Sequence, residues 1–332
     1  MAAERIDRAT LLGISGAYWA TCTLHAAVKL RVFTLIGNQS VTAAELAQQL
    51  AADSRATAML LDALCAMQLL EKTGSVYLNS EPAKKLLVRD SPDYLGHMIM
   101  HHHHLVEAWM RLDEAVCSGG PVATVLPRDE EELRESFLMG MYNIASRTAP
   151  RLVPTLDLTG RVRLLDLGGG PGTWAIHFCR RNPGLTATVF DLPTTRPFAE
   201  KTIAEYGLSD RINFEPGDFH TLEPAADYDM VWMSQILHGE NPADCEKIVA
   251  RAARALVPGG MLAVHEFILD DPRDAPLLPA LFSLNMLAVT PAGQAYSEAE
   301  LKEMLKNAGL VDISRTSYRG PTESGVVLGY KG

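Results

Sequence analysis

The sequence predicts an α/β protein: an open, mostly parallel sheet of the doubly wound kind in the C-terminal half, behind a mainly helical module with a winged-helix outline. Three observations predict it. From Arg161 onward short β-rich runs alternate with helical ones, the rhythm of strands joined by crossover helices. The run Gly168-Gly169-Gly170-Pro171-Gly172 stands between an apolar strand and a helix beginning around Thr173. Ahead of Gly74 the text reads helix, turn, helix, and a short β-prone piece follows. A chain of 332 residues, 47% hydrophobic and 21% charged, has globular composition and length for two packed units. The expected boundaries are 1–92 for the helical module, 93–150 for a helical connection and 151–332 for the sheet domain.

Apolar residues recur at helical spacing from Ala3 to about Gly37, where Gly37-Asn38 supplies a terminator. Thr42 stands as an N-cap with Glu45 completing a capping box, so a short helix begins there. After Asp53-Ser54 a second periodic run covers Ala58 to Leu70, and Gly74 leads into Ser75-Val76-Tyr77-Leu78. This winged-helix outline suits DNA binding through the second helix, or else dimerisation and packing. That helix carries Arg55 but is otherwise Ala, Met, Leu, Asp and Cys, which leaves almost nothing to contact phosphates or read base edges.

Between Asp93 and Arg151 the text is again helical, broken near Ser118-Gly119-Gly120-Pro121, with Pro127 and the acidic run Asp129 to Glu132 opening another helix. The strands expected after that are Val162 to Leu167, Ala187 to Phe190, Ile212 to Glu215, Met230 to Ser234 and Met261 to Glu266.

A formal charge of -10 with no basic concentration repels a phosphate backbone, so no nucleic-acid partner is expected. Five widely spaced cysteines (Cys22, Cys65, Cys117, Cys179, Cys245) contain no C-x-x-C pair, which reads as reduced thiols. The N-terminal residues carry scattered charges and no long apolar core, and nothing elsewhere approaches the roughly 18 consecutive apolar residues of a membrane span. A cytoplasmic protein with no membrane partner is expected.

Glycines after a strand permit positive φ and close backbone approach, and the following helix N-terminus presents free N–H donors. The pattern is D-x-G-x-G rather than G-x-G-x-x-G, and Asp166 at the strand end argues against a pyrophosphate ligand. Asp191 ends the next strand, where a doubly wound fold places an acid on ribose hydroxyls. Glu215-Pro216-Gly217-Asp218-Phe219 follows the third, offering Asp218 to an adenine amino group beside an aromatic face. Ordinary Gly and Asp turns between strands are the alternative.

Leu164 to Gly172, Val189 to Pro193, Gly217-Asp218-Phe219, Ile236-Leu237-His238 and Leu256-Val257-Pro258-Gly259-Gly260 together resemble the small-molecule O-methyltransferase family. That family includes plant caffeic acid and acetylserotonin-type enzymes and bacterial natural-product methyltransferases. Thr42-Ala43-Ala44-Glu45-Leu46-Ala47 looks like its N-terminal dimerisation domain. The resemblance therefore covers nearly the whole chain. It implies a Rossmann-like class I methyltransferase domain, an intertwined homodimer, S-adenosylmethionine (SAM) as cofactor with S-adenosylhomocysteine (SAH) as product, and a small, aromatic hydroxyl as acceptor. It assigns cofactor contacts to Asp166, Gly168, Gly170, Asp191, Leu192, Asp218, Phe219 and Ser234, with Asp166 balancing the amino group or the sulfonium charge. His238 matches the family's general base and Glu266 the glutamate that orients it, and no metal is expected. A histidine at the carboxyl edge of the sheet suits proton abstraction near neutral pH; a structural histidine is the alternative.

The departures are specific. Where many relatives read His-Asp-Trp, this chain reads His238-Gly239-Glu240; Ser234 stands where plant relatives often carry lysine, and Ala295 where they carry a second acid. In the run His101-His102-His103-His104, His101 and His104 share a helix face with His97, a spacing open to metal ligation, to pocket lining or to a plain interdomain helix. Acceptor-pocket residues implied by the resemblance are His101, His104, Trp109, Phe137, Met141, Tyr142 and Asn285. Two other readings stay open: carbon, nitrogen or sulfur methylation or non-methylating use of SAM on the same fold, and a SAM-sensing regulator built on the winged helix.

Overall fold

The structure is a computed structural model that describes residues 6–123, 131–221, 225 and 227–332. Ala3, Pro127 and Asp129, at which helix starts are expected, lie outside the described residues. The chain divides into two compact units, one of residues 1–104 with 135–143 and the other of residues 105–134 with 144–332. The segment 93–150 is thus shared between them.

In the first unit the periodic stretch up to Gly37 is three helices rather than one, Arg8–Gly16, Tyr18–Lys29 and Val32–Ile36. The break before Val32 falls at Arg31, whose φ of 57° no helix interior accepts. Gly37 ends the series at φ 55°, as a terminator should. Thr42 caps Ala43–Leu50, and the Thr42/Glu45 capping box is formed. The next helix, Ser54–Ala66, stops earlier than its apolar text: Gln68 turns left-handed and Leu70 opens a strand. Strands β1 (Val41–Thr42), β2 (Leu70–Thr73) and β3 (Val76–Asn79) make an antiparallel sheet in the order β1-β3-β2. Phe33, Leu46, Leu61, Leu64 and Tyr77 fill the core beneath it.

In the second unit the strands are β4 (Arg163–Leu167), β5 (Thr186–Asp191), β6 (Ile212–Pro216), β7 (Tyr228–Ser234), β8 (Leu256–Leu269), β9 (Tyr296–Ser297), β10 (Leu310–Arg315) and β11 (Ser324–Lys331). Their order is β10-β11-β8-β7-β4-β5-β6, with β9 pairing on β8 beside that path. The pairs β4–β5, β5–β6, β4–β7 and β7–β8 are parallel, as the alternating text requires, whereas β11 runs antiparallel to both β8 and β10. Each face buries its own cluster: Trp174, Phe178, Met230, Trp232 and Ala263 on one, Leu165, Val231, Leu237, Ile248 and Val264 on the other. The chain steps outward from β4 to β5 to β6 and then returns to β7 on the other side of β4. That reversal opens a crevice at the carboxyl ends of the strands, where folds of this kind bind ligands. Among the described residues no helix is long and apolar enough to cross a membrane.

Candidate active site

The turn after β4 takes the backbone through φ of 68° at Gly168, 55° at Gly170 and 75° at Gly172 before the helix Thr173–Arg181 begins. Gly168 is needed for a second reason, since a Cβ there would stand 2.7 Å from the Ile236 side chain. A Cβ on Gly170 would face open space, so the loop presents bare backbone to the crevice. Asp166 lies under this loop, 1% exposed, and its Oδ2 accepts the Ala175 N–H at 3.1 Å. Its Oδ1 has no partner among the described residues. Burial pushes this carboxyl up to about 7, with the nearby Asp191 charge adding to the effect.

The folded chain therefore holds a proton that the unfolded chain releases near pH 4. Because the folded pKa is raised, the Asp166 contribution to stability is full below about pH 4 and is lost as pH rises through about 7. Thermal melts of the free protein across that window should show this fall, and Asp166→Asn should flatten it. An equal slope in the variant would contradict the assignment.

Asp191, at the end of β5, ties the neighbouring turns together. Its Oδ2 accepts the Gly170 N–H at 2.8 Å, and its Oδ1 accepts the Leu192 N–H at 2.6 Å and the Thr195 hydroxyl at 3.0 Å. Burial still raises its pKa, these hydrogen bonds pulling the other way. Leu192 beside it is 36% exposed. After β6 the chain folds back over β5: the Gly217 N–H donates to the Asp191 carbonyl at 2.9 Å, and a Cβ on Gly217 would stand 2.2 Å from the Phe190 ring. Asp218 Oδ1 then accepts the His220 N–H at 2.8 Å, and Phe219 packs partly buried on the second core cluster.

At the end of β7, Ser234 Oγ lies 2.9 Å from Nδ1 of His265, whose imidazole burial pushes down to about 4 and so keeps neutral. Gln235 is left-handed at φ 59° and turns the chain so that Ile236 covers Gly168. The 3-10 turn Leu237–Gly239 follows. Glu266, on β8 and 1% exposed, holds that turn with both oxygens: Oε1 accepts the Leu237 N–H at 2.9 Å and Oε2 lies 2.8 Å from His238 Nδ1. A carboxylate accepts only, so in the neutral imidazole Nδ1 carries the proton and Nε2 the lone pair. Phe282 meets the imidazole edge-on at a centroid distance of 4.8 Å, and Phe267 lies 6.2 Å away.

The rear of the turn is held by residues that no local motif points to. Cys245 Sγ donates to the Leu237 carbonyl at 3.2 Å, and the Tyr296 hydroxyl donates to the Glu240 carbonyl at 2.5 Å. A Cβ on Gly293 would stand 2.4 Å from the His238 carbonyl oxygen and 3.0 Å from the Gly239 carbonyl carbon. Backbone cannot yield there as a flexible side chain would. Gly293→Ala is expected to displace the turn, costing about 1–3 kcal/mol of stability. Thermal melts check this, and an unchanged melting temperature would contradict it.

The remaining pocket candidates divide between the units. Trp109 and Asn285 belong to the second, where the indole N–H donates to Asn285 Oδ1 at 2.8 Å; Asn285 lies one helical turn beyond Phe282. Ala295 is fully buried beside β9. His101, His104, Phe137, Met141 and Tyr142 belong to the first unit. There His101 lies 5.3 Å from the Phe137 ring, with burial pushing its pKa to about 4, and His103 packs beside His25 and Lys29. No group of three His, Cys, Asp or Glu side chains among the described residues is placed to hold a metal ion.

Known proteins match along the chain. The O-methyltransferase domain family matches residues 111–311, and the O-methyltransferase dimerisation domain matches residues 12–89. The 3-hydroxy-5-methyl-1-naphthoate 3-O-methyltransferase of Streptomyces sahachiroi is 35% identical over 327 residues, covering 97% of this chain and 94% of its own. The tetracenomycin polyketide synthesis 8-O-methyl transferase of Streptomyces glaucescens is 33% identical, covering 94% of each. Relatives at 31% and 29% identity are named as an N,N-dimethyltransferase (Streptomyces rimosus) and an L-tyrosine C(3)-methyltransferase (Streptomyces lavendulae). Human N-acetylserotonin methyltransferase, solved in complex with SAM, superposes with a TM-score of 0.86 at 26% identity, covering 99% of each chain. With family matches spanning both the helical module and the sheet domain, this chain belongs to the O-methyltransferase family.

Proposed function

We propose that this enzyme transfers the methyl group of SAM to the hydroxyl of a small aromatic acceptor, with His238 as general base and Glu266 as its positioning residue. The observation that carries the reading is the 2.8 Å contact between His238 Nδ1 and a Glu266 carboxylate whose other oxygen is engaged by the Leu237 N–H. It leaves Nε2 as the basic atom and surrounds the imidazole with Phe267 and Phe282, faces suited to an aromatic ring.

The cofactor crevice fits SAM. A buried carboxyl with an unpartnered oxygen and a raised pKa suits a ligand that brings positive charge, and the bare backbone at Gly170 accommodates close approach. Asp191 has three protein donors and keeps a lone-pair site for one ribose hydroxyl. Leu192, Asp218, Phe219 and Ser234 complete the lining. When bound, SAM supplies an electrophilic methyl group on its sulfonium. His238 Nε2 takes the acceptor's hydroxyl proton as the oxygen attacks, and the buried Glu266 carboxylate stabilises the imidazolium that results. Trp109 engages Asn285 Oδ1, which leaves the amide nitrogen to donate to an acceptor oxygen.

The homodimer reading rests on the first unit's surface. The helix Arg8–Gly16 buries none of its residues, and Leu12, Ile14, Tyr18 and Trp19 are all more than half exposed within the matched dimerisation domain. Nitrogen and carbon acceptors form the second reading, favoured by the two relatives named for that chemistry. Incubation with methyl-labelled SAM and a panel of phenols, anilines, thiols and activated carbon acceptors tests both. Label transfer confined to phenols is expected; transfer confined to amines or carbon would overturn O-methylation.

A further inference from the structure

The strands β6 and β7 are separated in the sheet by β5 and β4, so their ends lie roughly 14 Å apart at about 4.8 Å per spacing. The segments that leave them nevertheless meet. The loop after β6 leans over β5, with Gly217 against the Phe190 ring, and the turn after β7 leans over β4, with Ile236 against Gly168. His220 Nε2 and Glu240 Oε1 join the two at 3.1 Å. Both side chains are partly exposed, at 36% and 24%. They therefore stand at the rim of the crevice and not in the core. Each is anchored from behind: the His220 N–H donates to Asp218 Oδ1, its ring lies 4.8 Å from Phe219, and the Glu240 carbonyl is held by the Tyr296 hydroxyl.

We infer that His220 and Glu240 form a clasp across the cofactor crevice that positions Asp218 to read the adenine amino group. The inference rests on the cofactor site proposed above. The His220 N–H occupies one oxygen of Asp218 and so directs the other toward the ligand, while Glu240 fixes His220 from the far side of the crevice. Neither residue takes part in proton transfer. Their effect is to make the site prefer a base that carries an exocyclic amino donor over one that carries a carbonyl at that position.

The test compares SAH with S-inosylhomocysteine, in which that amino group is replaced by a carbonyl oxygen, by calorimetry on the wild-type chain, His220→Phe and Glu240→Met. His220→Phe keeps a ring and removes the bonding nitrogen; Glu240→Met keeps the length and removes the carboxylate. Wild type should bind SAH at least tenfold more tightly than the inosine analogue. Each variant should lose about tenfold in SAH affinity while its affinity for the analogue holds, so that the preference collapses. Equal loss for both ligands would reduce the pair to general loop support and overturn the inference, as would retained preference in both variants or no preference in wild type. Failure of the wild-type chain to bind SAH at all would instead overturn the cofactor site itself, and the clasp with it.

Discussion

His238→Ala is expected to lower kcat by a factor of about 10²–10⁴, the usual range for loss of a positioned general base, while the affinity for SAH stays within about twofold of wild type. The separation follows from the geometry. His238 reaches the site from the turn after β7 and bonds Glu266, and none of the hydrogen bonds of Asp166, Asp191 or the glycine loop passes through it. Removal should therefore strike proton transfer and leave cofactor binding. The residual rate should rise with pH as the acceptor hydroxyl ionises in solution, a dependence that a merely structural histidine would not produce. Unchanged turnover in a folded variant would remove His238 from the mechanism.

Asp191→Ala should instead weaken SAM and SAH binding by roughly 10- to 10²-fold, since a hydrogen bond to a charged group contributes about 1.5–3 kcal/mol and the carboxylate keeps one site for a ribose hydroxyl. The protein's own loops rely on the same carboxylate, which accepts from Gly170, Leu192 and Thr195. Asp191→Asn separates the two effects. With its oxygen at the Oδ1 position the amide keeps the Leu192 and Thr195 contacts but presents donors where the ribose also donates, so folding should survive better than binding. Calorimetry alongside thermal melts measures both, and cofactor affinity within a few-fold of wild type in either variant would place the ribose elsewhere.

What was legible in the sequence was what local chemistry dictates. A strand followed by glycines, acids at successive strand ends and a histidine just past a strand are short-range patterns, and the parallel sheet places Asp166, Asp191, Asp218 and His238 along one edge. The capping box at Thr42 was legible for the same reason. The break at Arg31 was not, because an arginine is no signal for left-handed backbone and tertiary packing of Val32 and Phe33 imposes it. The antiparallel strands β10 and β11 escaped because both are buried unevenly and carry no clean alternation. The supports of the turn that carries His238 escaped for a different reason. Tyr296 and Gly293 act on backbone more than fifty residues away and Cys245 on a carbonyl two turns back, and nothing in their own neighbourhoods marks them. The same holds for His220 and Glu240, which meet across two intervening strands.

SAM is expected in the crevice above β4 and β5. Calorimetric titration of the purified chain with SAM and with SAH tests it most directly. Binding of both at micromolar affinity or better, weakened together by Asp191→Ala, is the predicted result. No heat of binding from either ligand, in folded protein at concentrations well above micromolar, would contradict it.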